Sequence, residues 1–554
     1  MGILPLVALL ALLSTAPSQA AAGPSPAPPS TPGAPTVLAS GDRIVVGTAD
    51  LELEFAVSTG APRTLSVRVE RRPSSGSESA DVAEPSPVTL VSPAAGDRFG
   101  ELRLELRAGL VSPRFELLAP PRINDRGEAV LQFVALVDGG KLRILRTWRV
   151  PASGHALLTE TVLENAGERV LQLSGRDSGL TLNLVAMGAA ASATAERSAE
   201  DLQNVRFVAR RSAAVESVDF EEAATLAAAE EGGPYEWLGV HSRYFAVVAV
   251  PQQAAAGSLR ADDLGPGWRA ELVDLAPQER LALTYTVYAG PKQIDALRAA
   301  SPELETVLFA EHWGWLAGVC RLAQDLLRSL QRATGNWGLA ILVLALGLRL
   351  LMLPLSLRGL RAQRRVRELE GMLRPKLAEL KKKPLSALER NDAVLQLYSE
   401  HGLGPGARLL GSVPLLVQLP LFIVVYLVLA GSFELRGASF AWIEDLSRPD
   451  GLFAFGFTLP WFGGHFNLLP AIMLVAQLAI ALQMRTSNPR EGRKGARALG
   501  IVAMPLVMFV LFYPFAAGCM LYWTTGNLLQ AAEHRLASRG RTGHPPPEQL
   551  AGAA

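Results

Sequence analysis

Cysteine is nearly absent from this chain. Only Cys320 and Cys519 occur in 554 residues, each in or beside an apolar segment, so neither a disulfide framework nor a zinc site can be assembled from them. Histidine is equally thin: the seven are scattered, with His465 in a loop and His534 and His544 near the C-terminal end, and no ligand cluster forms. No metal and no cofactor is expected. Charge of one sign is also lacking, with 53 Lys and Arg against 52 Asp and Glu. A net charge of +1 gives no global field, and no specific nucleic acid sequence is expected as a partner. No HExxH, Walker A, GxSxG or paired-carboxylate pattern falls where it could act, which leaves enzymatic chemistry without support.

Long hydrophobic runs are abundant, and they are unevenly spread. Mean hydropathy is +0.22, high for a soluble protein. Most of it lies in five apolar segments, 337–355, 413–431, 468–484, 498–513 and 515–532, whose lengths suit membrane helices. None of the five contains Asp or Glu, although a proton or cation relay through a membrane usually needs one. Charge orients them. The connection 356–401 carries eleven Lys and Arg against six acids, and the next basic loop holds Arg485, Arg490, Arg493, Lys494 and Arg497 against Glu491 alone. The connection between the second and third segments is acidic on balance, with Glu434, Glu444, Asp445 and Asp450 against Arg436 and Arg448. The positive-inside bias places both basic loops and the C-terminus in the cytoplasm, and everything before the first segment outside.

The N-terminal part agrees with export. Residues 1–21 hold a dozen apolar residues and a small-x-small site at 18–20, and fit either a cleaved signal peptide or a retained anchor. A Pro/Ala-rich linker follows over 22–36. From 37 to 298 short runs such as LELEFAV, LRILRTWRV and LALTYTVYAG alternate apolar with polar residues, which predicts a large β-sandwich or barrel. A Ser/Glu/Pro-rich insertion interrupts it at 73–87. Residues 299–335 return to helical spacing, with charges between the apolar positions, and read as an amphipathic helix lying in a membrane interface. The tail 541–554 is expected to be disordered.

Arg349 is the most informative residue. It stands thirteen residues after Asn336, about 18 Å along the first apolar helix at 1.5 Å per residue, and so past the midplane. A charge there costs from ~3 to over 10 kcal/mol unless it snorkels to headgroups or faces a wet cavity. Gln418, Gln477, Thr524, Thr525 and Asn527 supply further polar groups within the apolar runs; singly, each also reads as helix–helix glue. The basic connection 356–401 splits at Lys383-Pro384 into two helical stretches. It reads as a cytoplasmic α-hairpin, whose charges either set topology or dock an acidic or RNA-rich partner.

Several motifs then fall in order: Asn336-Trp337-Gly338 with Arg349 and Pro354-Leu355; Leu397-Tyr398 and His401-Gly402; 414–422 as PLLVQLPLF; 431–436 as GSFELR. After them come Trp442-Ile443 with Asp445-Leu446-Ser447, then Tyr513-Pro514, Gly518, Leu521-Tyr522-Trp523 and Asn527-Leu528. Over residues 300–540 this layout resembles the YidC/Oxa/Alb family of membrane protein insertases, in the Gram-negative YidC form. The resemblance implies an exported, twisted all-β sandwich domain and a five-span α-helical transmembrane core with a cytoplasmic helical hairpin. It implies a hydrophilic groove, open to cytoplasm and lipid, where a buried arginine attracts the polar tail of an entering protein. Arg349 takes that arginine's place, and Gln418, Gln477, Tyr522, Trp523 and Thr524 are the groove candidates. Lys381, Lys382, Lys383 and Arg390 are the docking candidates on the hairpin. The implied partners are nascent membrane proteins, the ribosome, the Sec translocon and the lipid bilayer. The implied place is the bacterial inner membrane, with the β domain periplasmic and the hairpin and C-terminus cytoplasmic. Ala345 departs from the family's threonine one turn before the arginine, which makes the groove less polar. Two rivals remain: a transporter or channel using Arg349 as an anion site, and a membrane-tethered carbohydrate-active domain.

Overall fold

The computed structural model describes residues 34–69, 86–91, 102–106, 109–174, 179–182, 205–211, 214–219, 235–252, 257–262, 265–270, 272–382, 386–400, 405–486 and 496–539. The leader or anchor at 1–21, most of the 22–36 linker, most of the 73–87 insertion, most of the second basic loop and the tail 541–554 lie outside them. The described residues divide into two compact units. One ends at Arg321 and includes Gly431–Glu434; the other begins at Leu322 and takes the rest.

The first unit is an all-β sandwich. A five-strand antiparallel meander runs through Thr36–Ser40, Arg43–Gly47, Leu51–Ala56, Ala61–Val69 and Ser86–Val91. A nine-stranded antiparallel sheet is ordered Ala214–Val218, Arg206–Arg211, Trp237–His241, Phe245–Pro251, Arg280–Pro291, Ala156–Asn165, Leu142–Val150, Ala129–Val137 and Glu116–Ile123. A smaller five-stranded sheet adds Gly257–Asp262, Gly265–Ala270, Gly179–Leu182, Leu102–Leu106 and Gly109–Val111. The alternation read from sequence is the cause: in Leu142–Val150 every second side chain, from Leu142 through Ile144, Arg146 and Trp148 to Val150, is buried. Side chains of the three sheets share one apolar core, in which Phe55 of the meander meets Phe133 and Trp148 of the large sheet at ring separations of 6.4 and 5.8 Å.

Two cations are sealed in this unit. Arg146 is fully buried with its guanidinium 5.0 Å from the Trp148 ring, and desolvation pulls it down to about 9. Lys292 donates to the Ser242 carbonyl at 3.2 Å and lies 3.4 Å from His241 Nδ1.

The stretch read as one amphipathic helix over 299–335 is broken. Helix α1 (Ile294–Ala300) ends at Ser301, Pro302 opens a short 3₁₀ turn, and the amphipathic helix α2 begins only at Gly314 and runs to Thr334. The difference has a packing cause: Leu304, Val307 and Leu308 are buried with Trp237 and Tyr288, in a second apolar cluster on the other face of the large sheet. In α2 the exposed apolar residues Trp315, Val319, Leu322 and Leu326 form a stripe at helical spacing.

The second unit is helical: α3 (Trp337–Lys382), α4 (Ala387–Glu400), α5 (Pro405–Gly431), α6 (Leu468–Thr486), α7 (Ala496–Phe512) and α8 (Ala517–Arg539). Among the described residues, Trp337–Gly359 is the one stretch long and apolar enough to cross a membrane; Leu416–Gly431, Leu468–Leu482 and Val502–Phe512 are shorter apolar helices. The first apolar run and the first arm of the basic hairpin are one continuous helix of 46 residues.

The motif residues organise the helix ends. Asn336 Oδ1 accepts from the Gly338 and Leu339 amides at 2.8 and 3.2 Å, satisfying donors that the first turn of α3 leaves open. Gly338 has no room for a side chain: a Cβ would sit 2.1 Å from the Phe440 ring. Asp450 Oδ2 does the same capping for α6, accepting from Leu468 and Leu469 amides at 2.7 and 3.0 Å. Carbonyls of Arg448 and Leu446 accept from the first amides of α8, Ala517 and Gly518, at 2.6 and 2.8 Å.

Candidate functional site

Three helices border a partly open cavity in the second unit, its lining more apolar than polar. On α3, positions 345, 349, 352 and 356 recur every three or four residues and so share one face. On α8, positions 522, 523, 526, 527 and 530 form the facing wall, and Gln418 and Phe422 of α5 complete it. Its volume is about 250 Å³.

Arg349 is anchored there by an acid. Its Nε donates to Glu533 Oε1 at 2.8 Å and its Nη2 to Oε2 at 2.6 Å, a bidentate pair. The side chains keep 11% and 14% of their surface exposed, so the pair is mostly desolvated yet not sealed. This corrects the reading that the helical core lacks a counter-acid. The apolar run ends at Ala532, but α8 continues through Glu533 to Arg539. The spacing 522, 526, 530, 533 already puts Glu533 on the face of Tyr522, a signal that a hydropathy boundary cuts off.

The sequence candidates divide. Arg349, Gln418, Tyr522 and Trp523 line the same cavity, while Thr524 and Gln477 are not part of its lining. Thr524 turns away by one helical step; it is buried and its hydroxyl donates to the Leu469 carbonyl at 3.2 Å, binding α8 to α6. Gln477 is half-buried on α6. Asn527 and Gln530 line the cavity in their stead. Trp523 is held rigid between Phe422 and Phe512, at ring separations of 4.2 and 4.1 Å. Of the docking candidates, Lys381 and Lys382 close α3, Arg390 is half-buried on α4, and Lys383 lies outside the described residues.

Such a cavity can bind a carboxylate or a polar chain end by exchange at Arg349, beside apolar side chains that suit a hydrophobic segment. Residues 329–543 match the family described as 60Kd inner membrane protein, and residues 180–322 match the YidC periplasmic domain. The chain belongs to the YidC family. A YidC-family membrane protein insertase of Thiobacillus denitrificans is 28% identical over 325 residues, covering 57% of this chain and 52% of that protein. The corresponding insertase of Cellvibrio japonicus is 31% identical over 332 residues, covering 58% and 54%. The chain thus spans about half the length of the curated YidC relatives that it matches. A crystal structure of an active YidC insertase with its first transmembrane domain resolved covers 90% of this chain and 93% of its own, at 19% identity and a TM-score of 0.34.

Proposed function

We propose that this chain is a membrane protein insertase and folding chaperone, moving hydrophobic segments of newly made proteins from the cytoplasm into the bacterial inner membrane. The observation that carries the proposal is Arg349, on the wall of an open cavity between three helices and paired behind it with Glu533. A cation in a partly desolvated cavity lowers the cost of bringing a client's anionic tail inward. Glu533 holds that cation's place at rest, and the client's carboxylate exchanges with it. Gln418, Asn527 and Gln530 offer amides to the polar tail, while the Phe422–Trp523 wall meets the apolar segment. No nucleotide is needed, because transfer of an apolar span into lipid is itself favourable. The five apolar runs span the membrane, with the sandwich periplasmic and the α3–α4 hairpin and C-terminus cytoplasmic. The exposed apolar stripe of α2 lies in the interface. Lys381, Lys382, Lys383 and Arg390 present positive charge to the ribosome, and the Sec translocon is a partner on the membrane side.

The test is reconstitution. Purified protein in lipid vesicles is expected to increase protease-protected insertion of a small single-span client over protein-free vesicles, without ATP. Equal insertion with and without the protein would sink the proposal.

A further inference from the structure

The connection between α5 and α6 contains a hairpin with an unusual composition for a turn. Residues 452–467 read LFAFGFTLPWFGGHFN: five of the chain's 19 phenylalanines and one tryptophan lie in these sixteen positions, with no Lys, Arg, Asp or Glu. Phe453–Leu459 pairs antiparallel with Gly463–Phe466 as an isolated two-stranded ribbon. A ribbon of this size has no interior, and both its faces are open: Phe453 is 52% exposed, Phe457 59% and Trp461 58%, with Leu452 and Leu459 alongside.

The ribbon is nonetheless fixed in place. Trp461 Nε1 donates to the Val510 carbonyl at 2.5 Å, using one of the acceptors that the last turn of α7 leaves open. The Phe462 ring packs on Phe509 and Tyr513, at 6.4 and 4.8 Å. Tyr513 in turn donates to the His465 carbonyl at 3.0 Å and accepts from the Asn467 amide at 3.1 Å. The exposed aromatic surface therefore continues directly into the exposed apolar surface of α7, where Val502, Leu506, Val507, Val510 and Leu511 face outward. Continuity with the apolar helix surface, the absence of charge, and amphipathic Trp at the helix-end level all match a bilayer's interfacial zone.

We infer that the 452–467 hairpin is immersed in the outer-leaflet interface of the bilayer, as an aromatic float that fixes the height of α6 and α7. This rests on the proposed membrane setting of those helices. Phe453, Phe457 and Trp461 enter the boundary between headgroups and acyl chains, and the pinned Trp461–Val510 bond couples the ribbon to α7.

The experiment uses the full chain with Cys320→Ala and Cys519→Ala, in vesicles of phosphatidylethanolamine and phosphatidylglycerol. A nitroxide is placed in turn at Phe457→Cys, at Phe453→Cys, at Leu506→Cys on α7 and at Glu444→Cys, an exposed charged position of the same connection. Relaxation by oxygen is compared with relaxation by a water-soluble nickel chelate. Positions 453, 457 and 506 are expected to favour oxygen, and 444 to favour nickel. Positions 453 and 457 matching 444, while 506 favours oxygen, would overturn the inference and leave a water-exposed surface. Low access of both reagents at 453 and 457 would also overturn it, in favour of a protein contact. Nickel access at 506 would instead defeat the membrane setting itself.

Discussion

Two buried arginines separate what the sandwich and the helical core do with charge. Arg146 is fully buried in a strand, stacked over Trp148, and closed off on all sides. Arg349 keeps 11% of its side chain exposed, stands on the wall of a cavity and is paired with Glu533. A sealed cation is out of reach of anything that enters, and its desolvation appears as a depressed proton affinity. An accessible cation can trade one anion for another at low net cost, because both states are paired. Burial is common to both charges; access distinguishes them.

The largest expected effect comes from cutting the accessible pair on one side. Arg349→Ala leaves Glu533 as a desolvated carboxylate without its cation, a loss of about 3–5 kcal/mol when a buried pair is broken. Arg349→Ala with Glu533→Gln removes both charges and is expected to recover most of that stability. It is not expected to recover insertion of a client with an acidic tail. Thermal unfolding in detergent and protease-protected insertion, read on the same preparations, separate the two losses. Glu533→Gln alone frees Arg349 from its resident competitor and is expected to raise insertion of the acidic client above that of a neutral-tailed one. Equal insertion of both clients by all three variants and the native chain would dissolve the distinction between the two arginines.

A smaller effect belongs to the sandwich. Burial pulls the Lys292 ammonium down to about 8 from 10.5, an effect that the nearby Glu311 carboxylate opposes. Below pH 8 the folded unit holds a charge that water would solvate better. Between pH 8 and 10.5 the unfolded chain binds more protons than the folded one, so stability rises with pH through that window, by up to ~3 kcal/mol. Lys292→Met is expected to flatten this rise in the tryptophan-monitored melting of the sandwich. An unchanged slope would show that Lys292 is less sealed than its surroundings indicate.

The contrast also explains how much was legible in the sequence. A β-strand repeats every two residues, so LRILRTWRV announces its buried face directly, Arg146 included. A helix inside an apolar run carries no such contrast, since lipid-facing and partner-facing positions are equally apolar. Arg349 was visible because it broke the run. Glu533 was hidden because it stands just past the run's end, where composition marks a boundary that the helix ignores. Thr524 and Asn527 look alike as polar interruptions, and only helical phase separates the one bonded to Leu469 from the one on the cavity wall. The break at Pro302 was readable as a helix stop; that Leu304, Val307 and Leu308 pack on the large sheet was not, because their partners Trp237 and Tyr288 are distant in sequence.

A weaker effect is expected at the basic hairpin. Replacing Lys381, Lys382, Lys383 and Arg390 with glutamine should reduce ribosome co-sedimentation of membranes severalfold at low salt, and little at 0.5 M. Solvated charges interact over a Debye length of about 10 Å at 0.1 M, and that range shrinks as salt rises. Binding that is unchanged at every ionic strength would leave these residues as topology signals only.

The smallest expected effect is the one most able to break the comparison. If the sandwich only seals its charges, its removal should leave insertion intact, since no residue of the Arg349 cavity belongs to it. The cut must respect packing. Ending a deletion at 290 would expose Ile294, Leu297, Leu304, Val307 and Leu308, whose buried partners Trp237, Val248 and Tyr288 lie in the removed strands. Such a chain would present a sticky apolar segment beside α2 and could lose activity for that reason alone. Deleting 40–312 removes both sides of this cluster and leaves α2 with its stripe. The shorter chain should insert a neutral-tailed and an acidic-tailed client at native rates and ratio, at matched protein levels in vesicles. Loss of both clients with the helical unit folded would assign the sandwich a part in insertion. Loss of the acidic client alone would mean that the sandwich influences the Arg349–Glu533 exchange, and the division between sealed and accessible charge would no longer follow the division into units.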